Sequence, residues 1–148
     1  MNEKNDIDFC FIEYNSDEYK EELELRNKVL RIPLEMSIYD DDLESEKNQW
    51  HLCAYKSGSM VGVLLLAPLN HSDIKMRQVA VEPTFQHQNI GRQMVQFAEN
   101  FISEKDFKRI IVHARETALI FYLKLSYKKV SDVFLEINIP HYKLEKVL

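Results

Sequence analysis

Apolar and polar residues alternate along several short segments of the chain, and a period of two residues predicts β-strands. In residues 7–13 the side chains of Ile7, Phe9 and Phe11 share one face. Six further runs, short and rich in apolar residues, are also predicted as strands: residues 50–56, 60–68, 74–81, 109–114, 127–136 and 139–147. The polar turn around Gly58, between the first two of these six, predicts a hairpin.

A second period, close to 3.6 residues, predicts helices. It is strongest in residues 90–102, whose apolar positions are Ile90, Met94, Phe97, Ala98, Phe101 and Ile102. An N-cap at Asn15 or Ser16 begins another predicted helix, which runs to about Leu30 and ends before Pro33. Residues 117–125 are predicted as a further helix, and the acidic residues between 40 and 46 favour the start of a short one.

The predicted elements follow the order β-α-(α)-β-β-β-α-β-α-β-β. Strands that outnumber helices and are interrupted by them are typical of an α/β domain with a mixed sheet. The crossover from residues 74–81 through the helix at 90–102 to residues 109–114 predicts that those two strands are parallel neighbours. Because the chain has 148 residues and no internal repeat or linker, we expect a single domain, residues 1–148.

The charge balance limits the expected partners. Lys and Arg number 19 against 24 Asp and Glu, a net charge of −5, whereas nucleic acids and anionic membranes favour a basic face. No apolar run approaches the roughly 18 residues of a membrane span, and the polar N-terminus does not resemble a signal peptide, so we expect a cytoplasmic protein. The cysteines and histidines lack ligand-type spacing, so no metal site is expected.

Residues 86–92, Gln-His-Gln-Asn-Ile-Gly-Arg, lie between the end of a predicted strand and the clearest helix. Such a corner presents free backbone N–H groups and the positive end of the helix dipole, which together bind phosphate. Gly91 allows a close approach to the backbone, and Arg92 adds a positive charge. The chain contains only three glycines, so each is expected to have a local structural reason.

The same corner resembles the acyl-CoA-binding signature of the GNAT superfamily, the general N-acetyltransferases, which reads Arg/Gln-x-x-Gly-x-Gly/Ala. Gln86 fills its first position and Gly91 its last, while Asn89 stands where the first glycine is usual. Asparagine tolerates left-handed backbone better than other non-glycine residues, so this departure is mild.

A second segment, from Ala118 through Phe121 and Tyr122 to Tyr127, resembles a later family region, A-x-x-F-Y-x-x-x-G-[FY]. Ser126 replaces its glycine. The C-terminal residues 139–144 are similar to bacterial GNAT proteins whose substrates are mostly unassigned. The resemblance implies a mixed, mostly antiparallel sheet of six to seven strands flanked by helices, with a splayed parallel pair at its centre.

The resemblance also implies a site for acetyl-CoA as co-substrate. Its pantetheine arm is expected between the two splayed parallel strands and its diphosphate at the corner. The implied cofactor-binding residues are Val79, Ala80, Val81, Gln86, His87, Gln88, Asn89, Ile90, Gly91, Arg92, Gln93, Ala118 and Phe121.

Transfer to an amine needs an acid and a base. Tyr122 is the implied general acid for the leaving thiolate, and a backbone amide near Val79 would stabilise the oxyanion. His113, Glu116 and His141 are candidate bases, with no order among them. The expected function is acetyl-CoA-dependent N-acetylation of a primary amine on a small molecule or peptide, through a ternary complex, by a monomer or homodimer.

Alternatives remain open at this point. One alternative is a CoA-binding sensor or interaction module that has lost transfer activity. Its basis is that Asn89 and Ser126 replace family glycines. In the structural alternative to catalysis, Tyr122 is a core aromatic residue, and His113 and His141 are structural histidines. The acidic residues 40–46 are either a solvated face or an attraction for a cationic amine. The sequence does not specify the acceptor or the length of the acyl group.

Overall fold

One mixed sheet runs through residues 6–148, which the computed structural model describes. Its eight strands are β1 (Asp8–Ile12), β2 (Trp50–Lys56), β3 (Ser59–Pro68), β4 (Asp73–Val81), β5 (Arg109–Arg115), β6 (Lys128–Lys129), β7 (Phe134–Glu136) and β8 (Ile139–Val147). The order is β1-β2-β3-β4-β5-β8-β6, with β7 also paired to β8. Only β4 and β5 pair in parallel, so the predicted crossover and fold class are confirmed.

The eighth strand arises because residues 127–136, predicted as one strand, form the two short strands β6 and β7. Their registers against β8 differ by two residues, from Lys129↔Leu144 to Phe134↔His141. Between them the backbone N–H of Lys143 donates to the Ser131 hydroxyl at 2.8 Å. A side chain therefore takes the place of a ladder carbonyl, and the chain bulges away from β8.

Helices cover both faces of the sheet. Helix α1 (Asp17–Arg26) continues through a π-helical turn, Asn27–Arg31, and begins at the predicted cap, where the Ser16 hydroxyl accepts from the Tyr19 N–H at 3.2 Å. Helices α2 (Ile90–Glu104) and α3 (Leu119–Lys124) pack on the other face. Among the described residues, no helix is both long and apolar enough to cross a membrane.

The segment between α1 and β2 contains short 3₁₀ helices, one of which begins within the acidic cluster as predicted. Asp40 lies in the 3₁₀ turn Ile38–Asp40, Glu44 and Glu46 lie in the 3₁₀ turn Glu44–Asn48, and Asp41 and Asp42 lie between the two turns. Asp41 pairs with Arg31 at 2.9 Å, and Glu46 is buried at 1% exposure beside Arg26. Asp41 and Glu46 therefore already form ion pairs with arginines of the chain itself.

The main core fills the space between the sheet and the α2–α3 layer. Leu64, Leu66 and Ile74 of the sheet pack there against Met94 and Ala98 of α2, all fully buried. A Cβ at position 62 would lie 3.2 Å from the Met94 sulfur, so Gly62 lets α2 sit close to β3.

Strand β4 carries a bulge that separates it from β5. Against β3 its register shifts by one residue between Val63↔Ala80 and Leu65↔Arg77, and Gln78 inside the shift has φ +56°. Against β5 the pairing ends at Met76↔Val112, although β5 continues to Arg115. A bulge increases the local twist, so the ends of the two strands diverge.

A buried ionic network ties α1 to this bulge. The Arg26 guanidinium, 0% exposed, donates to Glu22 at 3.0 Å, to Glu46 at 2.9 Å and, through Nε, to the Gln78 side-chain carbonyl at 3.2 Å. His51 lies 2.8 Å from Glu22 through Nδ1 and donates through Nε2 to the Glu46 carbonyl at 2.9 Å.

The charge state of the network follows from its contacts. Burial alone would lower the pKa of His51, but the hydrogen bond to Glu22 and the charges of Glu22 and Glu46 outweigh it and raise that pKa. With His51 protonated, two carboxylates face two cations, and the buried group is neutral.

Replacing Arg26 by Met tests this network. Glu22 and Glu46 would then be buried with one cation too few, and we expect the free energy of unfolding in urea to fall by about 3–5 kcal/mol. The control is Lys28→Met, which removes an exposed pair with Glu82 from the adjacent turn and should cost less than about 1 kcal/mol. Equal losses in the two variants would contradict the structural role of Arg26.

Candidate active site

The diverging ends of β4 and β5 enclose a cavity of about 330 Å³. Val79, Ala118 and Tyr122 line it from the α2–α3 side of the sheet, while His113 and His141 line it from the α1 side. The cavity therefore lies between the strand ends and is lined from both faces of the sheet. Five residues that the sequence singled out are brought together here.

Tyr122 lies on the short helix α3, with 5% of its surface exposed. Edge contacts with Phe121 and Tyr127, at ring-centroid distances of 5.0 and 5.5 Å, fix its ring. Burial raises the pKa of Tyr122 well above its usual value, because the phenolate loses hydration. The hydroxyl at the cavity wall is therefore a neutral proton donor at physiological pH.

Glu136 of β7, which the sequence did not single out, joins the two histidines. His113 Nδ1 lies 3.0 Å from one carboxylate oxygen, and His141 Nε2 lies 3.6 Å from the other. Burial alone would raise the pKa of Glu136, but the hydrogen bond from His113 and the nearby charges of both histidines and Lys75 hold it below its usual range. The ionised carboxylate accepts the His113 Nδ1–H, which leaves Nε2 of that ring as a base.

The other two candidate bases are placed differently. His141, 4% exposed, donates its Nδ1–H to the Ile139 carbonyl at 2.8 Å and turns Nε2 toward Glu136. Glu116 lies exposed in the turn Glu116–Ala118 and is not among the residues that line the cavity, although its neighbours Arg115 and Ala118 are. Of the three candidate bases, only His113 has one ring nitrogen held by a carboxylate and the other, Nε2, without a hydrogen-bond partner among the described residues.

The predicted phosphate corner follows β4 on the α2 side. His87 and Asn89 both adopt left-handed backbone, with φ of +67° and +63°. The Gln86 side chain closes the loop by donating to the Val81 carbonyl at 3.1 Å. Gln88 is exposed beside these residues, and α2 begins directly after them. Asn89 therefore has the conformation that glycine usually supplies at this position.

The first turn of α2 is open to an anion. Ile90 anchors it in the core, Arg92 is exposed, and no acidic residue occurs in the turn. Gln93 makes the first helical bond, from its N–H to the Asn89 carbonyl at 3.0 Å, so the preceding amides have no intrahelical acceptor. A Cβ at Gly91 would lie 3.4 Å from the Phe121 ring, an ordinary van der Waals contact, so the packing of the corner on α3 does not by itself require glycine.

The remaining predicted residues surround this corner and the cavity. Ala80 is buried on the α1 side of the sheet, whereas Val81 packs toward the main core. Gln78 and Val79 lie within the register shift of β4. Ser126, the second position where a glycine is replaced, has φ +73° and again adopts left-handed backbone.

Cationic side chains of the cavity were missed at the sequence level. Lys75 and Arg77 of β4 and Arg115 of β5 line it on the α1 side. The sequence pattern that indicates them is the two-residue alternation of a strand. Lys75 and Arg77 flank Met76, which is buried in the main core. Alternation predicts the face that they share but does not predict that the strands open there.

Comparisons with known proteins identify the family of this chain. The family profile described as an acetyltransferase (GNAT) domain matches residues 17–148. A Bacillus subtilis protein described as an acetyltransferase is 25% identical over 96 residues, which span 65% of this chain and 65% of that protein.

Two solved structures resemble the whole fold. A Lactobacillus plantarum protein described as an N-acetyltransferase has a TM-score of 0.85 at 20% identity, covering 97% of this chain and 99% of its own. A GNAT family acetyltransferase from Elizabethkingia anophelis, solved with acetyl-CoA bound, has a TM-score of 0.75 at 14% identity over the same shares. These likenesses show the fold, and the profile match shows the family: the chain belongs to the GNAT acetyltransferases.

Proposed function

We propose that this protein is an acetyl-CoA-dependent N-acetyltransferase that acetylates a primary amine within a ternary complex. The observation that carries the proposal is the cavity between the strand ends, which has Tyr122 on one side and the His113–Glu136 pair on the other. Two reactants can therefore meet from opposite faces. Family membership and the acetyl-CoA-bound relative support the choice of donor.

The corner and the bulge suit the two parts of the donor. The amides of residues 88–92 and the Arg92 side chain would hold its diphosphate, because they combine free N–H groups, a helix dipole and a positive charge. The pantetheine arm would lie along Val79–Val81 as an added strand, since β5 no longer pairs with that part of β4. Ala118 and Phe121 would form its apolar wall.

The chain's side chains then supply the proton transfers. The amine nitrogen attacks the thioester carbonyl, a C–N bond forms, and the C–S bond breaks. His113 takes the proton of the amine, and Tyr122 gives its hydroxyl proton to the departing sulfur. The Val79 N–H lies in the irregular part of β4 and would donate to the oxyanion.

His113 is the base favoured by the geometry. Its Nδ1–H is held by Glu136, as a carboxylate orients the histidine of a catalytic triad, and its ring lines the cavity. His141 is turned toward the same carboxylate and the backbone, so its role would be to hold Glu136 in place. Glu116 lies outside the cavity.

The sensor alternative loses its motivating observation. It depended on the replacement of two family glycines, yet Asn89 and Ser126 both adopt left-handed backbone. Tight CoA binding with no release of free thiol across polyamines, amino acids, aminoglycosides and peptides would nevertheless favour it. Absence of CoA binding would contradict both functions.

The left-handed backbone of Asn89 provides a prediction about acetyl-CoA affinity. Asn89→Gly should keep the dissociation constant for acetyl-CoA within about twofold, because glycine accepts the same φ. Asn89→Val should weaken binding about tenfold, since left-handed backbone costs a β-branched residue about 1–2 kcal/mol. Calorimetry measures both constants.

The matched control is Asp106→Val, which places the same strain (φ +67°) after the other end of α2. It should lower the melting temperature while leaving acetyl-CoA affinity unchanged. Equal affinities of the Asn89→Val and Asn89→Gly variants would count against a phosphate site at this corner.

Tyr122 provides the second prediction. Tyr122→Phe should lower kcat about 100-fold, the usual contribution of a positioned acid, and leave acetyl-CoA affinity unchanged. The loss should be clearest below the pKa of the CoA thiol. Tyr127→Phe is the control, because Tyr127 donates to Glu99 and lies outside the cavity lining. Unchanged turnover of Tyr122→Phe over the full pH range would remove this hydroxyl from the reaction.

His113 provides the third prediction. His113→Gln should lower kcat/KM about 100-fold near neutral pH. The loss should shrink above the pKa of the acceptor ammonium, because a free amine needs no base. Glu136→Gln should show a smaller loss with the same pH trend, as expected for a positioning residue. Glu116→Gln should match the parent protein, and a larger loss there than in His113→Gln would overturn the choice of base.

A further inference from the structure

Three cations line the α1-side mouth of the cavity, and the carboxylate that lines the cavity with them, Glu136, lies against His113 and His141. The three cations are Lys75, Arg77 and Arg115, each half-buried. Arg77 donates to the Gln49 side chain at 2.9 Å, and Arg115 donates to the Leu30 carbonyl at 2.9 Å. Within residues 6–148, none of the three forms a salt bridge.

Other semi-buried and buried arginines of this chain are paired. Arg26 contacts two glutamates, Arg31 lies 2.9 Å from Asp41, and Arg109 lies 2.8 Å from Asp73. The chain carries a net charge of −5, so carboxylates are in excess overall. The cations at this mouth therefore stand out as a local surplus of positive charge in an acidic protein.

Burial makes this surplus unfavourable, and the charge of Glu136 offsets it only in part at Lys75 and Arg77. Burial lowers the pKa of Lys75 and likewise lowers the pKa of Arg77 and of Arg115, where the charge of Arg31 adds to the effect. Charged groups removed from water gain most from a partner of opposite charge. An anion bound at the mouth would supply that partner.

The diphosphate corner does not use this mouth. The corner lies at the start of α2, on the side of the main core. Arg77 faces the other layer, because its neighbour Met76 is buried in that core and side chains alternate along a strand. The anion at the mouth would therefore belong to the acceptor and not to the donor.

The strand register places the expected positions of the acceptor's amine and of its anion on facing walls of the cavity. The last paired residues are Met76 on β4 and Val112 on β5, so Arg77 and His113 are the next residues on either side of the opening. Glu136 holds His113 and carries a negative charge that suits an ammonium group. A small molecule with an amine at one end and an anion at the other matches this arrangement.

From these contacts we infer that the acceptor carries a carboxylate as well as its amine, and that Arg77, with Lys75 and Arg115, binds that carboxylate. This inference rests on the proposed function, whose acceptor it specifies. A guanidinium fork matches the two oxygens of a carboxylate, and one Arg77 nitrogen is already oriented by Gln49. The substrate class is then amino-acid-like amines.

The test compares amino acids with their own amides, which remove the charge at nearly constant shape. Values of kcat/KM are measured for glycine, β-alanine and larger amino acids, each against its amide, in the parent protein and in Arg77→Gln. Per free amine at the assay pH, the best acid should exceed its amide at least tenfold, and Arg77→Gln should reduce that ratio about tenfold. Comparing the ratio between proteins cancels the difference in amine pKa within each pair.

Two further variants keep the test independent of folding. Lys75→Met should lower the same ratio if Arg77→Gln does not fold. Arg109→Gln is the control, because Arg109 lies on β5 but pairs with Asp73 outside the cavity. Its ratio should equal that of the parent protein. A parent ratio near one, or a ratio unaffected by both cavity variants, would overturn the inference. A preference for aminoalkyl phosphonates would overturn the choice of carboxylate.

A binding measurement separates this inference from the proposed function. N-acetylglycine and N-acetyl-β-alanine, with their amides, are titrated into the CoA-loaded protein and followed by NMR. If the acids bind more tightly than the amides and lose this advantage in Arg77→Gln, the anion site stands even when no acceptor is acetylated. If acetylation proceeds equally well on acids and amides, the proposed function stands and the anion site fails.

Discussion

The candidate site depends on the separation of β4 from β5 beyond Met76 and Val112. Two parallel strands that stayed paired to their ends would bury their backbone groups in the ladder and leave no cavity between them. The bulge at Gln78 diverts β4 and opens a cavity of about 330 Å³. Tyr122 then faces it from one layer and His113 from the other, so the opening positions the acid and the base together.

The bulge is held from the α1 side by a buried group of charges. Arg26 bonds to the Gln78 side chain while two glutamates and His51 keep the network neutral. Leaving such a network partly unpaired would lower the stability of the fold, so the network fixes the position of the bulge. The same α1 layer supplies Leu30 and Arg31 to the cavity through its π-helical turn. Packing, electrostatics and the site are therefore connected through one helix.

Much of this arrangement could be predicted where the sequence has a strong period or a local conformational requirement. The helix at 90–102 and the parallel crossover followed from apolar spacing, and Asn89 followed from its tolerance of left-handed backbone. The bulge could not be predicted, because glutamine has no preference for φ near +56°. Glu136 was also missed, since its strand has three residues and its importance comes from contacts with β5 and β8.

A crystal structure of the protein with CoA tests the account most directly. The account predicts pantetheine between the diverging ends of β4 and β5, with its diphosphate against the amides that follow Gln88. It also predicts that the bulge at Gln78 and its bond to Arg26 persist in the complex. CoA bound elsewhere, or β4 and β5 paired to their ends with no cavity between them, would contradict the central role of the opening.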